Sequence, residues 1–265
     1  MLHGQRIAVV VPAFNEARFL GETVRELPAF VDDVVVVDDA SRDATGDLAR
    51  AASDRVVVVR HAANAGVGAA IVTGYRWARE RGADVVAVMA GDGQMHPDDL
   101  AGLLEPVLRG DLDYAKGDRT RHPDVRRLMP PVRYVGGLAL SWLTQRAAGL
   151  DSLRDSQCGY TAISRRAIDV IDLGSLWPSY GYPNDLIGAL VRAGFRVGDV
   201  AVRPVYRGEA SGLRPWHALT IGWVVARVAC RRLRRGAAVA ASPSVAPDRP
   251  LACAERPEAA TATPL

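Results

Sequence analysis

Four valine-dense runs recur down the first hundred residues and constrain the fold more than anything else in the chain. They are Ile7-Ala-Val-Val-Val-Pro12, Asp33-Val-Val-Val-Val-Asp-Asp39, Arg55-Val-Val-Val-Val-Arg60 and Asp84-Val-Val-Ala-Val-Met89. None alternates apolar with polar, so each reads as a strand buried on both faces, which is the habit of parallel sheets. The stretches between them carry helix signals. Asn15-Glu16 opens a helix to about Leu27, Ser41 and Asp43 offer N-caps for one to about Ala52, and Asn64-Ala-Gly-Val-Gly-Ala-Ala70 leads into one to about Arg81. Strand and helix alternating at this spacing predict an α/β fold whose parallel sheet is covered on both faces.

In such sheets ligands bind beyond the carboxyl ends of the strands. Those ends hold Pro12-Ala-Phe-Asn-Glu16, Asp38-Asp39 and Gly91-Asp-Gly-Gln94. Acidic positions at successive strand ends suit a nucleotide, with one for base or ribose hydroxyls and others for a metal on the diphosphate. Asp92, with Gln94 two residues on, suits a hard divalent cation bound through oxygen; a turn cap is the plainer reading of the same aspartate. Gly66-Val-Gly-Ala-Ala70 brushes against the dinucleotide fingerprint. It follows the third strand rather than the first, so close helix–strand packing explains it better than a nicotinamide cofactor.

Beyond Asp111 the pattern loosens. Tyr114-Ala-Lys-Gly-Asp118 reads as a short strand, Arg119 to Arg127 as a basic loop, and Arg133 to Ala148 as a helix apolar almost all round, either buried or touching lipid. Tyr160 to Ser164 and Phe195 to Val205 read as further strands, and Pro183-Asn-Asp-Leu186 as a helix start. Trp216 to Arg235 reads as a last helix, stopped by Gly236. Its stripe Leu219, Trp223, Ala226, widened by Ile221, Val224, Val225 and Val228, and its cations Arg231, Arg232, Arg234 and Arg235 fit a helix lying flat on an anionic membrane surface. The expected organisation is a catalytic domain over 1–215, this interfacial helix over 216–235, and a disordered tail over 236–265, rich in Ala, Pro, Ser and Thr.

Composition narrows the partners. A net charge of +3 is too small to argue for nucleic acid. Arg203 to Arg235 nevertheless packs eight arginines against one acid, Glu209, while Lys116 is the only lysine in the chain. Cys158, Cys230 and Cys253 are odd in number and scattered, as expected in a reducing cytoplasm. The polar start Met1-Leu-His-Gly-Gln-Arg6 lacks the pattern of a signal peptide, and no long uncharged apolar run predicts a membrane span.

Together, Val11-Pro-Ala-Phe-Asn-Glu16, Val37-Asp-Asp-Ala-Ser41, Asn64-Ala-Gly-Val-Gly68 and Gly91-Asp-Gly-Gln-Met-His-Pro97 resemble the family 2 glycosyltransferases. The similarity is strongest to the polyprenyl- and dolichyl-phosphate sugar (mannose) synthases and runs from about residue 6 to 235. It implies a GT-A fold, a nucleotide-sugar donor, Mg2+ or Mn2+, inversion at the sugar carbon and a polyprenyl phosphate acceptor on the cytoplasmic face of the membrane. By the same resemblance Pro12, Phe14, Asn15, Glu16 and Gly91 line the nucleotide pocket. Asp39, supported by Asp38, contacts base or ribose, and Asp92 and Gln94 hold metal and diphosphate. The motif departs at Ala90, where the family usually has a second aspartate. In the other half Asp155-Ser-Gln-Cys-Gly-Tyr160 and Tyr182-Pro-Asn-Asp-Leu186 resemble the acceptor-side acidic loops, and Arg119 and Arg133 resemble the arginines that hold lipid phosphate. A hydroxyl acceptor would need a carboxylate base, for which Asp155 and Asp185 are candidates. A phosphate acceptor would need only cations. A nucleotide-sugar-binding protein without turnover is the reading that Ala90 leaves open.

Overall fold

In this structure, a computed structural model, residues 1–205 and 215–241 are described. Seven strands form one sheet: β1 (Ile7–Ala13), β2 (Asp33–Asp38), β3 (Val56–Arg60), β4 (Val85–Val88), β5 (Tyr114–Asp118), β6 (Thr161–Ser164) and β7 (Val197–Ala201). Their order across the sheet is β3-β2-β1-β4-β6-β5-β7. Pairing is parallel except at β6, which runs antiparallel to both neighbours, with Val88 opposite Thr161 and Lys116 opposite Thr161 on the other side. The expected sheet is therefore present, with one reversed strand.

The valine runs explain the layering. Alternate residues of β1 and β2 point to opposite faces. Ala8, Val10, Val35 and Val37 enter one core together with Tyr75, Leu186 and Val228, while Ile7, Val9, Val11, Val34 and Val36 enter the other with Leu20, Leu100 and Leu104. The helices are α1 (Leu20–Arg25), α2 (Thr45–Ala52), α3 (Val67–Glu80), α4 (Leu100–Leu108), α5 (Val125–Leu128), α6 (Pro131–Ala148), α7 (Arg165–Val170), α8 (Tyr182–Arg192) and α9 (Pro215–Ala241), and all but α5 supply residues to these cores.

Several helices differ from expectation for identifiable reasons. The helix expected from Asn15 begins only at Leu20, because Asn15 sits at φ +57° in a turn that serves the site. Ser41 and Asp43 do not cap α2 from its N-cap position, which is Ala44. Ser41 accepts from the Asn15 amide instead, while Asp43 accepts from both the Ala17 amide and the Thr45 amide that opens α2. Helix α6 is not enclosed. Val132, Val135, Leu138, Trp142 and Leu143 are exposed, and only Ser141, Thr144, Ala147 and Ala148 are buried.

Helix α9 runs through Gly236 to Ala241 rather than stopping there. Ile221, Val224, Val225 and Val228 face the protein and join the core beside α8, while Leu219, Trp223 and Leu233 stay exposed. Its arginines are largely spent inside the molecule. Arg227 and Arg231 reach the fully buried Asp185 at 3.8 and 3.3 Å, and Arg232 donates to the Arg146 carbonyl at the end of α6. A cation there also meets the negative end of the α6 dipole. Among the described residues no helix is long and apolar enough to cross a membrane. Most of the tail expected to be disordered, from 242 onward, lies outside the described residues.

Candidate active site

The site is built where β1, β2 and β4 end. After β1 the chain turns through Phe14, Asn15 and Glu16, and a lattice of bonds ties this turn to the segment after β2. The Asn15 amide donates to Ser41 Oγ at 2.9 Å, the Arg42 amide to Asn15 Oδ1 at 2.8 Å, and the Glu16 amide to Thr45 Oγ1 at 2.9 Å. Asn15 and Ala40 both adopt positive φ, which is costly for a residue with a Cβ and persists where the surroundings over-determine it. Pro12 is buried beneath the turn, Glu16 is half-buried, and the Phe14 ring stands 43 % exposed at the rim.

Asp38 and Asp39 divide the labour. Asp38 is wholly buried, accepts from the Ser41 amide at 2.8 Å and pairs with Arg60 at 3.0 Å, so it frames the loop. Asp39 accepts from His61 Nδ1 at 2.7 Å and from the Ala65 and Gly66 amides at 2.8 Å each. Those two amides open α3, so a carboxylate here also meets a positive helix end. Gly66 is required: at φ +96° a Cβ would lie 2.6 Å from the Pro178 carbonyl. His61 was not among the residues singled out from the sequence, although its position directly after β3, at the same sheet edge, is the signal that marks it.

The loop after β4 closes the other side. Gly91 packs so tightly that a Cβ would fall 2.8 Å from Leu20 Cδ1, which presses the loop against the end of β1. The half-buried Asp92 accepts from the Gln94 amide at 3.0 Å, and the Ala90 amide points to Met95 Sδ. Among the described residues no three His, Cys, Asp or Glu side chains converge as a metal cluster. One carboxylate and one amide at a strand end suit an ion such as Mg2+, which keeps waters and takes substrate phosphate oxygens for the rest of its shell.

A second cluster comes from β5 and the loop before β6. Arg119 grips Asp155 with Nε at 2.7 Å and Nη2 at 3.1 Å. The Cys158 amide adds a further bond to the same carboxylate at 3.0 Å. Burial alone would raise the Asp155 carboxyl, but Arg119 and then Lys116 outweigh it and hold it below the usual carboxylate range. This loop touches the Asp92 loop through Tyr160, whose hydroxyl donates to the His96 carbonyl at 3.2 Å. Arg133 lies half-buried in the first turn of α6. Asp185 is not at this surface. It is fully buried, accepts from the Trp177 amide at 2.9 Å and faces the two α9 arginines, with Arg227 also set against the rings of Trp177 and Trp223. Asp155 is closed by Arg119, and Asp185 is sealed under α9.

A groove of about 430 Å3 runs between α3 and residues 173–178 and shares His61 and Ala65 with the Asp39 network, but none of Asp92, Gln94 and Arg119 lines it.

Residues 8–171 match the sequence model described as glycosyl transferase family 2. The chain belongs to that family. Among its relatives is the undecaprenyl-phosphate mannosyltransferase of Micrococcus luteus, 35 % identical over 76 % of this chain and 84 % of that protein. The UDP-N-acetylglucosamine–dolichyl-phosphate N-acetylglucosaminyltransferase of Methanococcus voltae is 28 % identical over 76 % of this chain and 86 % of that one. In fold, this family 2 glycosyltransferase is similar to glucosyl-3-phosphoglycerate synthase of Mycobacterium tuberculosis, solved with Mn2+, uridine diphosphate and glucosyl-3-phosphoglycerate. The TM-score is 0.62 at 23 % identity, covering 88 % of this chain and 80 % of that one. The architecture is thus GT-A, and the protein is a glycosyltransferase.

Proposed function

We propose that this glycosyltransferase moves one sugar from a nucleotide-sugar donor onto a polyprenyl phosphate. The observation that carries the reading is the closure of both candidate bases by arginines, Asp155 by Arg119 and Asp185 by Arg227 and Arg231. A hydroxyl acceptor must lose a proton to a base. A phosphate is already anionic and asks only for cations, which Arg119 and Arg133 supply. The relatives in Micrococcus and Methanococcus differ in sugar yet are both named for a prenyl-phosphate acceptor, which favours the same acceptor class here.

In this reaction an acceptor phosphate oxygen attacks the anomeric carbon on the face opposite the diphosphate. The new C–O bond forms as the old one breaks, the electron pair leaves with the nucleoside diphosphate, and the sugar carbon inverts. Phe14, Asn15, Glu16 and Asp39 hold the nucleoside, and Gly91 lets the backbone approach the diphosphate. Asp92 and Gln94 would hold Mg2+ or Mn2+, and such an ion, when bound, would neutralise charge growing on the leaving group. Holding donor and acceptor in line supplies much of the remaining acceleration.

The enzyme works at the inner face of the membrane. Two observations support this: the exposed apolar half of α6, from Val132 to Leu143, and the neighbouring Leu219, Trp223 and Leu233 of α9. Aromatic and aliphatic side chains set among arginines suit an anionic lipid surface. Incubation with radiolabelled nucleotide sugars and polyprenyl phosphate tests the function. Label should enter the organic phase; label confined to a water-soluble glycan would favour a hydroxyl acceptor instead.

A further inference from the structure

Lys116 is the one lysine among 33 basic Lys and Arg side chains, and it is wholly enclosed beside the Arg119–Asp155 pair, with an exposure of 0 %. A chain that otherwise builds every such cation from arginine keeps an ammonium at one enclosed position. Burying it is costly, and an apolar side chain of similar volume in its place would often stabilise the fold. The retention calls for a local reason.

Lys116 lies three residues before Arg119 on β5, with Thr161 opposite on β6 and Asp199 opposite on β7. Its ammonium donates to the Cys158 carbonyl, inside the loop that carries Asp155. The charged and titratable groups around it are Cys158, Asp155, Arg119 and Asp199. Asp199 accepts from the Arg154 amide at 2.7 Å and is pushed upward by burial, and the next carboxylate along β5, Asp118, pairs with Arg121 at 3.1 Å. An Arg119–Asp155 pair by itself is neutral. Lys116 and Arg119 face two carboxylates, Asp155 and Asp199, so the four charges balance, and of Lys116, Arg119 and Asp155 only Arg119 reaches toward solvent, its side chain 20 % exposed. A guanidinium is a broad planar fork, whereas an ammonium is a compact charge on a flexible stem. The enclosure is tight: a Cβ on the adjacent Gly117 would stand 2.9 Å from Val202 and 3.0 Å from Cys158 Sγ.

We propose that Lys116 is a positioning residue for acceptor recognition, its buried ammonium fixing the Asp155 loop and with it the Arg119–Asp155 pair that meets the incoming phosphate. The proposal rests on the phosphate-acceptor reading above, and its test separates the two.

Because the chain has one lysine, labelling lysine with carbon-13 at Cε gives a single reporter signal in the intact protein. Geranyl phosphate, a short soluble prenyl phosphate, should shift that signal, while uridine or guanosine diphosphate with Mg2+ should leave it nearly unmoved. In kinetics, Lys116→Met should raise the acceptor KM about tenfold or more with donor KM little changed, and Lys116→Arg should fail to restore it. If wild type makes lipid-linked product but geranyl phosphate leaves the lysine signal in place, or if Lys116→Met keeps the wild-type acceptor KM, the positioning role is overturned and the acceptor assignment stands. If wild type makes no lipid-linked product and the signal is also silent, both fall. Should Lys116→Met fail to fold, the wild-type signal alone decides.

Discussion

Replacing Asp185 distinguishes a catalytic carboxylate from a structural one. In Asp185→Asn the shape is kept and the charge is lost, leaving Arg227 and Arg231 to face a neutral amide. Removing one partner of a buried ion pair typically costs about 3–5 kcal/mol. Here the arginines are 21 % and 32 % exposed and stand at 3.8 and 3.3 Å, so water takes up part of their charge. That lowers the expectation to about 2 kcal/mol, as for a partly solvated pair. The Asn carbonyl can still accept from the Trp177 amide, whereas Asp185→Ala strands that donor and adds about 1 kcal/mol. For a chain of this size 2 kcal/mol corresponds to a fall in Tm of roughly 4–8 °C. Urea unfolding followed by tryptophan fluorescence is the assay, since Trp177 and Trp223 lie 5.1 Å apart beside the pair. The midpoint should drop with an unchanged slope, and turnover per folded molecule should stay within a fewfold of wild type. A variant that keeps its stability but loses about a hundredfold or more in kcat would refute the reasoning and restore Asp185 as a base.

Asp92→Ala should abolish transfer and the Mg2+-dependent rise in Tm on adding nucleoside diphosphate, which for wild type approaches about 2.7 kcal/mol at a hundredfold excess over Kd. The unliganded Tm should barely move, because Asp92 is half-buried in a surface loop. For acid stability, burial opposes ionisation of Asp113, but its bonds to the Arg196 amide and to Arg166 hold the carboxyl below its unfolded value. Its contribution is therefore complete above about pH 4 and is lost as pH falls through the folded value. Acid titrations of Asp113→Asn should show a shallower loss of stability than wild type, and an equal slope would exclude the group. Val135→Asp with Trp142→Glu should cut sedimentation with anionic liposomes at low salt while nucleotide binding persists. Liposome binding that survives both changes would move the membrane contact away from α6.

The first half of the fold was legible because β1, β2 and β4 are buried on both faces, with only the edge strand β3 half-buried. Runs such as Asp33 to Asp39 admit few other readings, and β2 begins and ends within a residue of the expected bounds. The reversal of β6 was not legible, since Thr161-Ala-Ile-Ser164 is too short to carry a directional signal. In the site, the strand-end acids were found, but their division was hidden. Nothing in Asp38-Asp39 says that one will frame a loop and the other receive amides from α3. The arginine partners of Asp155 and Asp185, Arg119 and Arg231, were hidden because they lie 36 and 46 residues away in the chain. The α9 stripe divides: Ile221, Val224, Val225 and Val228 meet the protein while Leu219 and Trp223 stay exposed, and a face of valines looks the same in sequence whether it meets lipid or α8.

The single reversed strand has a consequence for how such an enzyme diversifies. With Thr161 opposite Val88, the residues that lead into β6 lie at the same edge as those that leave β4. In a wholly parallel sheet the segment preceding a strand would be at the far edge, a strand length away. The reversal thus gives the cleft two rims of different origin, one made by chain leaving strands and the other by chain arriving at one. The Tyr160–His96 bond is where these rims touch. On the proposed reading, donor and acceptor preferences are then written in separate stretches of sequence, so a lineage can rewrite the approach to β6 while the nucleotide rim stays as it was.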